Sequence, residues 1–206
     1  MKKMKTYKAI FILVLFALGL GVNAQNKTNA YYTMGIPMSD TKDYISKTSF
    51  RGAALEFEHL VKDNVGVGIL VGWNTFYESL SKDTYPLSNI NETVNGAITG
   101  KQYRYLNMVP MLATGKYYFT DEDQPIRPFA GLGVGTYYIE QKTDMGLYSD
   151  REKSWHFGLA PKAGVLIPLN YAVSVSVAID YNIAFKTSKI DQQNWLGINV
   201  GFSWDY

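Results

Sequence analysis

The feature that most constrains the fold is a strict alternation over Tyr171–Phe185 (YAVSVSVAIDYNIAF). Branched or aromatic side chains fill every odd position from Val173 to Phe185, and Ala, Ser, Asp or Asn fill the even positions. Because successive side chains of a β-strand point to opposite faces, the pattern predicts a strand with one apolar face and one face of small or polar residues. The alternation lasts about twice the usual 5–6 residues of a globular strand.

The same alternation recurs along most of the chain. The C-terminal segment sets Leu196, Ile198 and Val200 against glycine, asparagine and serine. Pro110 lies inside another predicted strand, where it predicts a missing ladder hydrogen bond or a bulge. Eight strands are predicted, at about residues 30–38, 53–58, 65–74, 102–119, 127–140, 155–167, 173–185 and 196–206.

The predicted connections are unequal. The odd-numbered ones, at about 39–49, 78–101, 142–152 and the shorter 186–191, are polar and mostly long, whereas the even-numbered ones are short. In an antiparallel meander these two sets lie at opposite ends. Long loops at one end and short turns at the other are typical of outer-membrane barrels. An even strand number places both termini at the short-turn end.

The first 24 residues are predicted to be a cleaved signal peptide. A lysine-rich start precedes the apolar run Ala9–Leu20, and the small residues of 21–24 follow before Gln25. The run of about 12 residues is too short for a spanning helix, which needs about 20. An N-terminal anchor helix is the alternative. The predicted organisation is therefore a signal peptide at 1–24 and one barrel domain at 25–206.

Composition excludes several classes of protein. The chain carries a formal charge of +2, and removing the four lysines of the signal segment leaves about −2, so no basic footprint for nucleic acid remains. With no cysteine, neither disulfides nor a lipid-modified cysteine is expected. After Gln25 no run of 18 apolar residues follows. A secreted soluble protein or a β-barrel of an outer membrane remains.

The composition of the two faces favours the membrane. The polar face carries mainly Gly, Ala, Ser and Asn, which suit the crowded interior of an eight-stranded barrel. The other face is aliphatic at mid-strand and aromatic towards the ends, as at Tyr181, Phe185, Trp204 and Tyr206. Aromatic residues at both edges of an apolar band form the girdles of membrane barrels. We therefore predict an all-β fold, an eight-stranded antiparallel up-and-down transmembrane β-barrel preceded by a cleavable signal helix.

Three segments carry a resemblance to a known family. They are Tyr105–Leu112 running into Tyr117–Phe119, Pro128–Gly135, and the aromatic C-terminus Phe202–Tyr206. On these the chain resembles the small eight-stranded outer-membrane β-barrels typified by the OmpA membrane domain and OmpX, and the porin-like outer membrane protein beta-barrel domain group. The resemblance implies a multi-pass protein of a Gram-negative outer membrane.

The resemblance also implies partners. They are outer-membrane lipid and, during biogenesis, the barrel assembly machinery. That machinery would read Phe202, Trp204 and Tyr206 as its signal, although Tyr206 stands where phenylalanine is usual.

Four charged residues share the inward parity: Glu56, Glu58, Lys162 and Asp180. They predict either an ion path or a salt-bridge network that fills the lumen. We expect the network, because an unpaired buried charge is costly.

Enzymatic and metal chemistry have weak support. His156 lies near Ser154 and Glu152, but the Ser-Asn that follows the histidine of barrel deacylases is absent. We expect no catalytic residue, cofactor or metal, and a solvated acidic turn at Asp121–Asp123 rather than a calcium site.

The predicted function is non-enzymatic. We expect a structural or adhesion-like role through the long external loops, with the segment 78–101 as a possible contact for an extracellular ligand. The alternative is a narrow porin that passes small solutes or ions, and a lipid-modifying barrel enzyme ranks below both.

Overall fold

The computed structural model describes residues 26–86, 97–146 and 148–206. The predicted signal peptide lies outside these residues. One short helix, α1 (Ser39–Tyr44), follows the first strand. The eight strands are β1 (Asn26–Met38), β2 (Gly52–Lys62), β3 (Val65–Pro86), β4 (Ala97–Tyr118), β5 (Arg127–Met145), β6 (Tyr148–Pro168), β7 (Val173–Ala184) and β8 (Gln193–Asp205).

The strands form a closed barrel in sequence order. Each strand pairs antiparallel with the next, and β8 returns to pair with β1 from Lys27–Asp205 to Met38–Asn194. Closure leaves no strand edge, which a bilayer requires because hydrocarbon cannot satisfy free backbone groups. The predicted fold class is therefore confirmed. Among the described residues, no helix has the length and apolar character needed to cross a bilayer.

The two ends of the barrel differ as the sequence predicts. Short turns join β2 to β3, β4 to β5 and β6 to β7 at one end. The termini meet there too, since the Asn26 and Tyr206 backbones exchange hydrogen bonds of 3.0 and 2.9 Å. The opposite end carries α1 and the β7–β8 loop. By the rule for outer-membrane barrels, the short-turn end is periplasmic and the other end external.

Two predicted external loops are wrong. The segment predicted as a loop at 78–101 is mostly strand, since β3 continues to Pro86 and β4 begins at Ala97, with 87–96 outside the described residues. The segment 142–152 is also paired, because β5 runs to Met145 and β6 starts at Tyr148. These segments are polar on both faces, so they lack the apolar alternation that predicts a strand.

The extra pairing makes one half of the barrel much taller than the other. Strands β3, β4, β5 and β6 contain 22, 22, 19 and 21 residues. The other four contain 11–13, close to the 9–11 or so that cross a bilayer. The parts of β3–β6 beyond the bilayer, with their external hairpins, are called the external wall below.

The assignment of faces is also confirmed. Ile179 is 52% exposed on the outside of β7, whereas its neighbour Ala178 is 2% exposed. On β2, Phe57 points outward and Glu56 is fully buried. An apolar outer face and a filled interior are the arrangement that lipid requires.

The ladder between β3 and β4 is irregular at Pro110, as predicted. Pairing passes from Val71–Met111 to Asn74–Met108 without pairing Pro110. On its other side Pro110 pairs with Tyr137 of β5. The β-ladder is therefore interrupted at Pro110 on the β3 side only.

Candidate functional site

A buried ion cluster occupies the middle of the lumen. The Nζ atom of Lys116 lies 2.9 Å from Glu56 Oε2 and 2.8 Å from Glu58 Oε2. The Nζ atom of Lys162 lies 3.5 Å from the same Glu56 oxygen. All four side chains are at most 7% exposed. The structure therefore brings together three of the four predicted charged residues.

Lys116, which links the cluster, was missed by the sequence reasoning. It lies on β4, whose alternation is irregular, and only its shared parity with Leu112 and Thr114 could have placed it inside. The Tyr118 hydroxyl donates a 2.7 Å hydrogen bond to Glu58 Oε1. The Lys116 ammonium therefore contacts two carboxylates, and Glu58 accepts a further hydrogen bond from the Tyr118 hydroxyl.

Asp180 belongs to a neighbouring polar group rather than to the ion cluster itself. It pairs with Lys162 in the β6–β7 register. Its carboxylate accepts hydrogen bonds from the side-chain amides of Asn182 and Asn199. Asn199 in turn accepts a 2.8 Å bond from the Thr33 hydroxyl. Asp180 is therefore stabilised by side-chain amide donors of β7 and β8 rather than by a cation.

Little space remains around these groups. The cavity between them is about 30 Å³ and is lined by Glu56, Asn74, Thr114 and Lys162. A cavity needs roughly 10–15 Å³ to hold one water molecule. This space therefore fits one or two waters, not a solute pathway.

Apolar side chains close the lumen above and below the ion cluster. On the external side Trp195 packs edge-to-face against Tyr137, with ring centroids 5.5 Å apart. Glycines in the wall make room for such rings, since a Cβ at Gly158 would lie 2.7 Å from Tyr137. The external plug contains Ile45, Leu70, Phe76, Leu106, Met108, Leu112, Tyr137, Ile139, Ala160, Ala184, Ile190 and Trp195, and the periplasmic plug contains Leu60, Tyr118, Phe129, Leu166 and Ala178.

An external cleft of about 1130 Å³ opens above the external plug. Its walls are α1, the inward faces of the external wall and the β7–β8 loop. The lining is polar and carries both charges, with more carboxylates than cations. The charged lining residues are Asp40, Asp43, Asp150, Glu152, Asp191, Arg104, Lys186 and Lys189.

Helix α1 is fixed to both sides of the cleft. The Tyr44 hydroxyl donates to the Lys142 carbonyl at 2.9 Å, and Arg104 donates to the Tyr44 carbonyl at 2.8 Å. On the other side of the cleft, the Thr41 hydroxyl of α1 donates a 2.9 Å hydrogen bond to the side-chain oxygen of Gln193 on β8. Burial raises the pKa of the Tyr44 phenol, so it remains a neutral donor. The cleft is therefore a built feature rather than a gap between loops.

The residues considered for hydrolysis are not arranged as a triad. His156 is fully buried and its Nδ1 lies 2.8 Å from the Phe185 carbonyl oxygen. The Ser154 hydroxyl donates to Thr187 at 3.0 Å. Glu152 lines the cleft instead.

The periplasmic end carries the remaining predicted residues. In the acidic turn, Glu122 lies 2.8 Å from Arg127 and 3.4 Å from Lys27. Phe202 and Trp204 point outward, 48% and 41% exposed, and Tyr206 is 71% exposed. Their role as an assembly signal stays a prediction.

A closed eight-stranded barrel with an apolar outer face defines an integral protein of the outer membrane. The family model of the outer membrane protein beta-barrel domain matches residues 11–205. The chain belongs to this family, and its outer-membrane location follows.

Solved structures with the same fold come from several bacteria. Ail, the attachment invasion locus protein of Yersinia pestis, solved with the heparin analogue sucrose octasulfate, has 11% identity and a TM-score of 0.54, covering 89% of this chain and 99% of its own. OprG of Pseudomonas aeruginosa has 12% identity and a TM-score of 0.57, and the match covers 89% of this chain and 96% of OprG. Neisserial surface protein A has 15% identity and a TM-score of 0.54, and the match covers 89% of this chain and 97% of that protein. At such identities the likeness shows the fold alone. No curated protein matches the sequence.

Proposed function

We propose that the protein is a non-enzymatic surface receptor that binds a polar extracellular ligand in the external cleft. One observation carries the proposal: the lumen is closed at three levels, whereas the external wall and α1 build an open cleft of about 1130 Å³. A barrel whose interior is filled offers its external surface rather than its bore.

The charge of the cleft favours a particular ligand chemistry. Five carboxylates and three cations line it. Ail is solved with a polysulfated sugar, but an excess of carboxylates repels such a ligand. We therefore infer a cationic or neutral polar ligand, such as a basic peptide segment.

The contact surface differs from the one predicted at 78–101. Glu78 is buried and accepts two 2.7 Å bonds from the backbone N–H and hydroxyl of Ser46, which tie β3 to the segment after α1. We place the contact instead on Asp150 and Glu152 of β6 and on the β7–β8 loop, which face the cleft.

A binding experiment with two probes tests this proposal. The refolded protein in phosphatidylcholine nanodiscs is titrated with an oligolysine peptide and with sucrose octasulfate. We expect oligolysine to bind more tightly, and D150N/E152Q to weaken it several-fold. The matched control is D121N/D123N, which removes two exposed acids at the periplasmic end. Tighter binding of sucrose octasulfate, or equal loss in both variants, would overturn the proposal.

The narrow porin remains the competing function. The filled lumen argues against it, because a solute would have to displace Lys116, Trp195 and Tyr118 together. In a planar bilayer we expect no steady conductance from the wild-type protein. Regular open steps would contradict a receptor with a closed bore.

The non-enzymatic part of the proposal has its own test. If the protein modified lipid, its overexpression would change the mass spectrum of extracted lipid A. We expect an unchanged spectrum, and a new deacylated or acylated species would refute this part alone.

A further inference from the structure

We propose that the lipid-facing side of β5 and β6 holds a binding site for the phosphate groups of an outer-leaflet glycolipid. The site is the rim patch, defined as Glu140, Lys142, Arg151 and Lys153. It lies on the outer surface of the barrel, on the face opposite the external cleft, and is independent of the receptor function.

The rim patch lies directly above the aromatic girdle. Trp155 and Tyr138 pair across β5 and β6 with ring centroids 5.3 Å apart, and Trp155 is 58% exposed. Such residues mark the membrane interface. At a rise of about 3.4 Å per residue, Lys153 lies about 7 Å and Arg151 about 14 Å farther along the strand. This is the depth of lipid headgroups.

Register brings the charges of the rim patch together. Glu140 is opposite Lys153, and Lys142 is opposite Arg151. All four share the outward parity of Trp155. Directly opposed like charges destabilise a sheet, and the protein offsets the Lys142–Arg151 pair with Asp144 beside Lys142 and Glu140 beside Arg151.

The protein supplies two carboxylates for the three cations on this face. Glu140 is shared by Arg151 at 3.3 Å and Lys153 at 3.4 Å. Lys142 is bound by Asp144 and lies 5.5 Å from the centre of the Tyr105 ring. Arg151 and Lys153 keep side-chain exposures of 50% and 48%, so their remaining donors face outward. With Asp144 counted, three cations share two carboxylates on this face, and the one excess positive charge lies with the exposed Arg151 and Lys153.

The occupant follows from this depth and charge. Below the girdle Phe157 and Leu132 face acyl chains, being 57% and 47% exposed. A ligand whose apolar chains contact this surface and whose anionic head group reaches the cations above the girdle is a phosphorylated lipid. The guanidinium of Arg151 offers a bidentate fork for phosphate, and Lys153 offers a point charge. A glycolipid with phosphates on its sugar headgroup matches both parts.

Native mass spectrometry of the refolded mature protein tests the site. The protein is incubated with diphosphorylated lipid A, or with the same lipid A after removal of its phosphates, and the fraction that keeps one lipid is measured. We expect several-fold higher retention of the phosphorylated form. The variant R151Q/K153Q should lower retention to that of the dephosphorylated lipid.

A charge-matched control separates a site from general attraction. K42Q/K47Q removes two exposed external cations that do not line the cleft and should retain lipid A as the wild type does. Heat-dependent gel migration verifies folding, and the single K153Q serves if the double variant fails to fold. Equal retention of both lipids, no loss in R151Q/K153Q, or equal loss in the control would each overturn the proposal.

Discussion

The ion cluster in the lumen and the rim patch on the outer surface use the same residue types with opposite consequences. Lys116 and its two glutamates are at most 3% exposed, and both carboxylates lie within 3 Å of its ammonium. Lys153 and Arg151 are about half exposed and share one glutamate at more than 3 Å. Breaking one of the buried pairs is costly because it leaves an uncompensated charge inside the barrel. The exposed charges contribute little to stability and remain available to a ligand.

The largest effect is expected at Lys116. Lys116→Met would leave Glu58 without a cation and Glu56 with only Lys162, at 3.5 Å. Removing one partner of a buried pair costs about 3–5 kcal/mol. Urea unfolding in lipid vesicles measures this loss, with Lys101→Met on the exposed part of β4 as the control. A loss under about 1 kcal/mol would place Lys116 in contact with water.

The lipid-facing surface comes next. Val177→Arg places a charge at mid-bilayer and should cost about 2–4 kcal/mol. The matched Ser176→Arg instead overfills the lumen, since Ser176 is fully buried. Assembly yield in vesicles measures both changes. Wild-type assembly of Val177→Arg would contradict the face assignment.

Lys162 should matter less than Lys116. In Lys162→Met, Glu56 keeps its 2.9 Å contact with Lys116, so we expect a loss of about 1–3 kcal/mol. Conductance of the variant in a planar bilayer should stay at the wild-type level, since the plugs above and below are unchanged. A large rise in conductance would make Lys162 a gate.

The smallest effect is expected at the rim patch. Lys153→Gln removes one half-exposed contact to Glu140 and should change the unfolding free energy by less than about 1 kcal/mol. The same unfolding assay without lipid A checks this value. A loss comparable to that of Lys116→Met would remove the contrast between the two regions.

The sequence predicts the membrane-spanning part well because lipid imposes the alternation of β7 and β8. It does not predict the external wall, where both faces meet water and neither face has to be apolar. Pairs such as Thr84–Thr99 show that these polar segments still form a ladder. The wall carries Asp150 and Glu152, so the cleft could not be placed from sequence.

The candidate sites were predicted in part. Inward parity placed Glu56, Glu58 and Lys162 inside the barrel, but parity cannot say which residues meet across it. Lys116 reaches Glu56 and Glu58 from β4, with β3 between them. The plug residues Trp195 and Tyr137 were missed because the inward face was predicted from its majority of Gly, Ala, Ser and Asn, and a composition does not show which few large rings fill the lumen.

The most direct test of the account is the orientation of β7. The chain has no cysteine, so single cysteines at 175 and 177 can each carry a spin label in bilayers, and unlabelled single cysteines at 176 and 178, which are small enough for the filled lumen, can be exposed to a water-soluble thiol reagent. Labels at 175 and 177 should collide with oxygen dissolved in lipid, and the cysteines at 176 and 178 should not react. Labels at 175 and 177 that are shielded from oxygen, or fast reaction at 176 and 178, would contradict a barrel with a lipid-facing apolar surface and a closed interior.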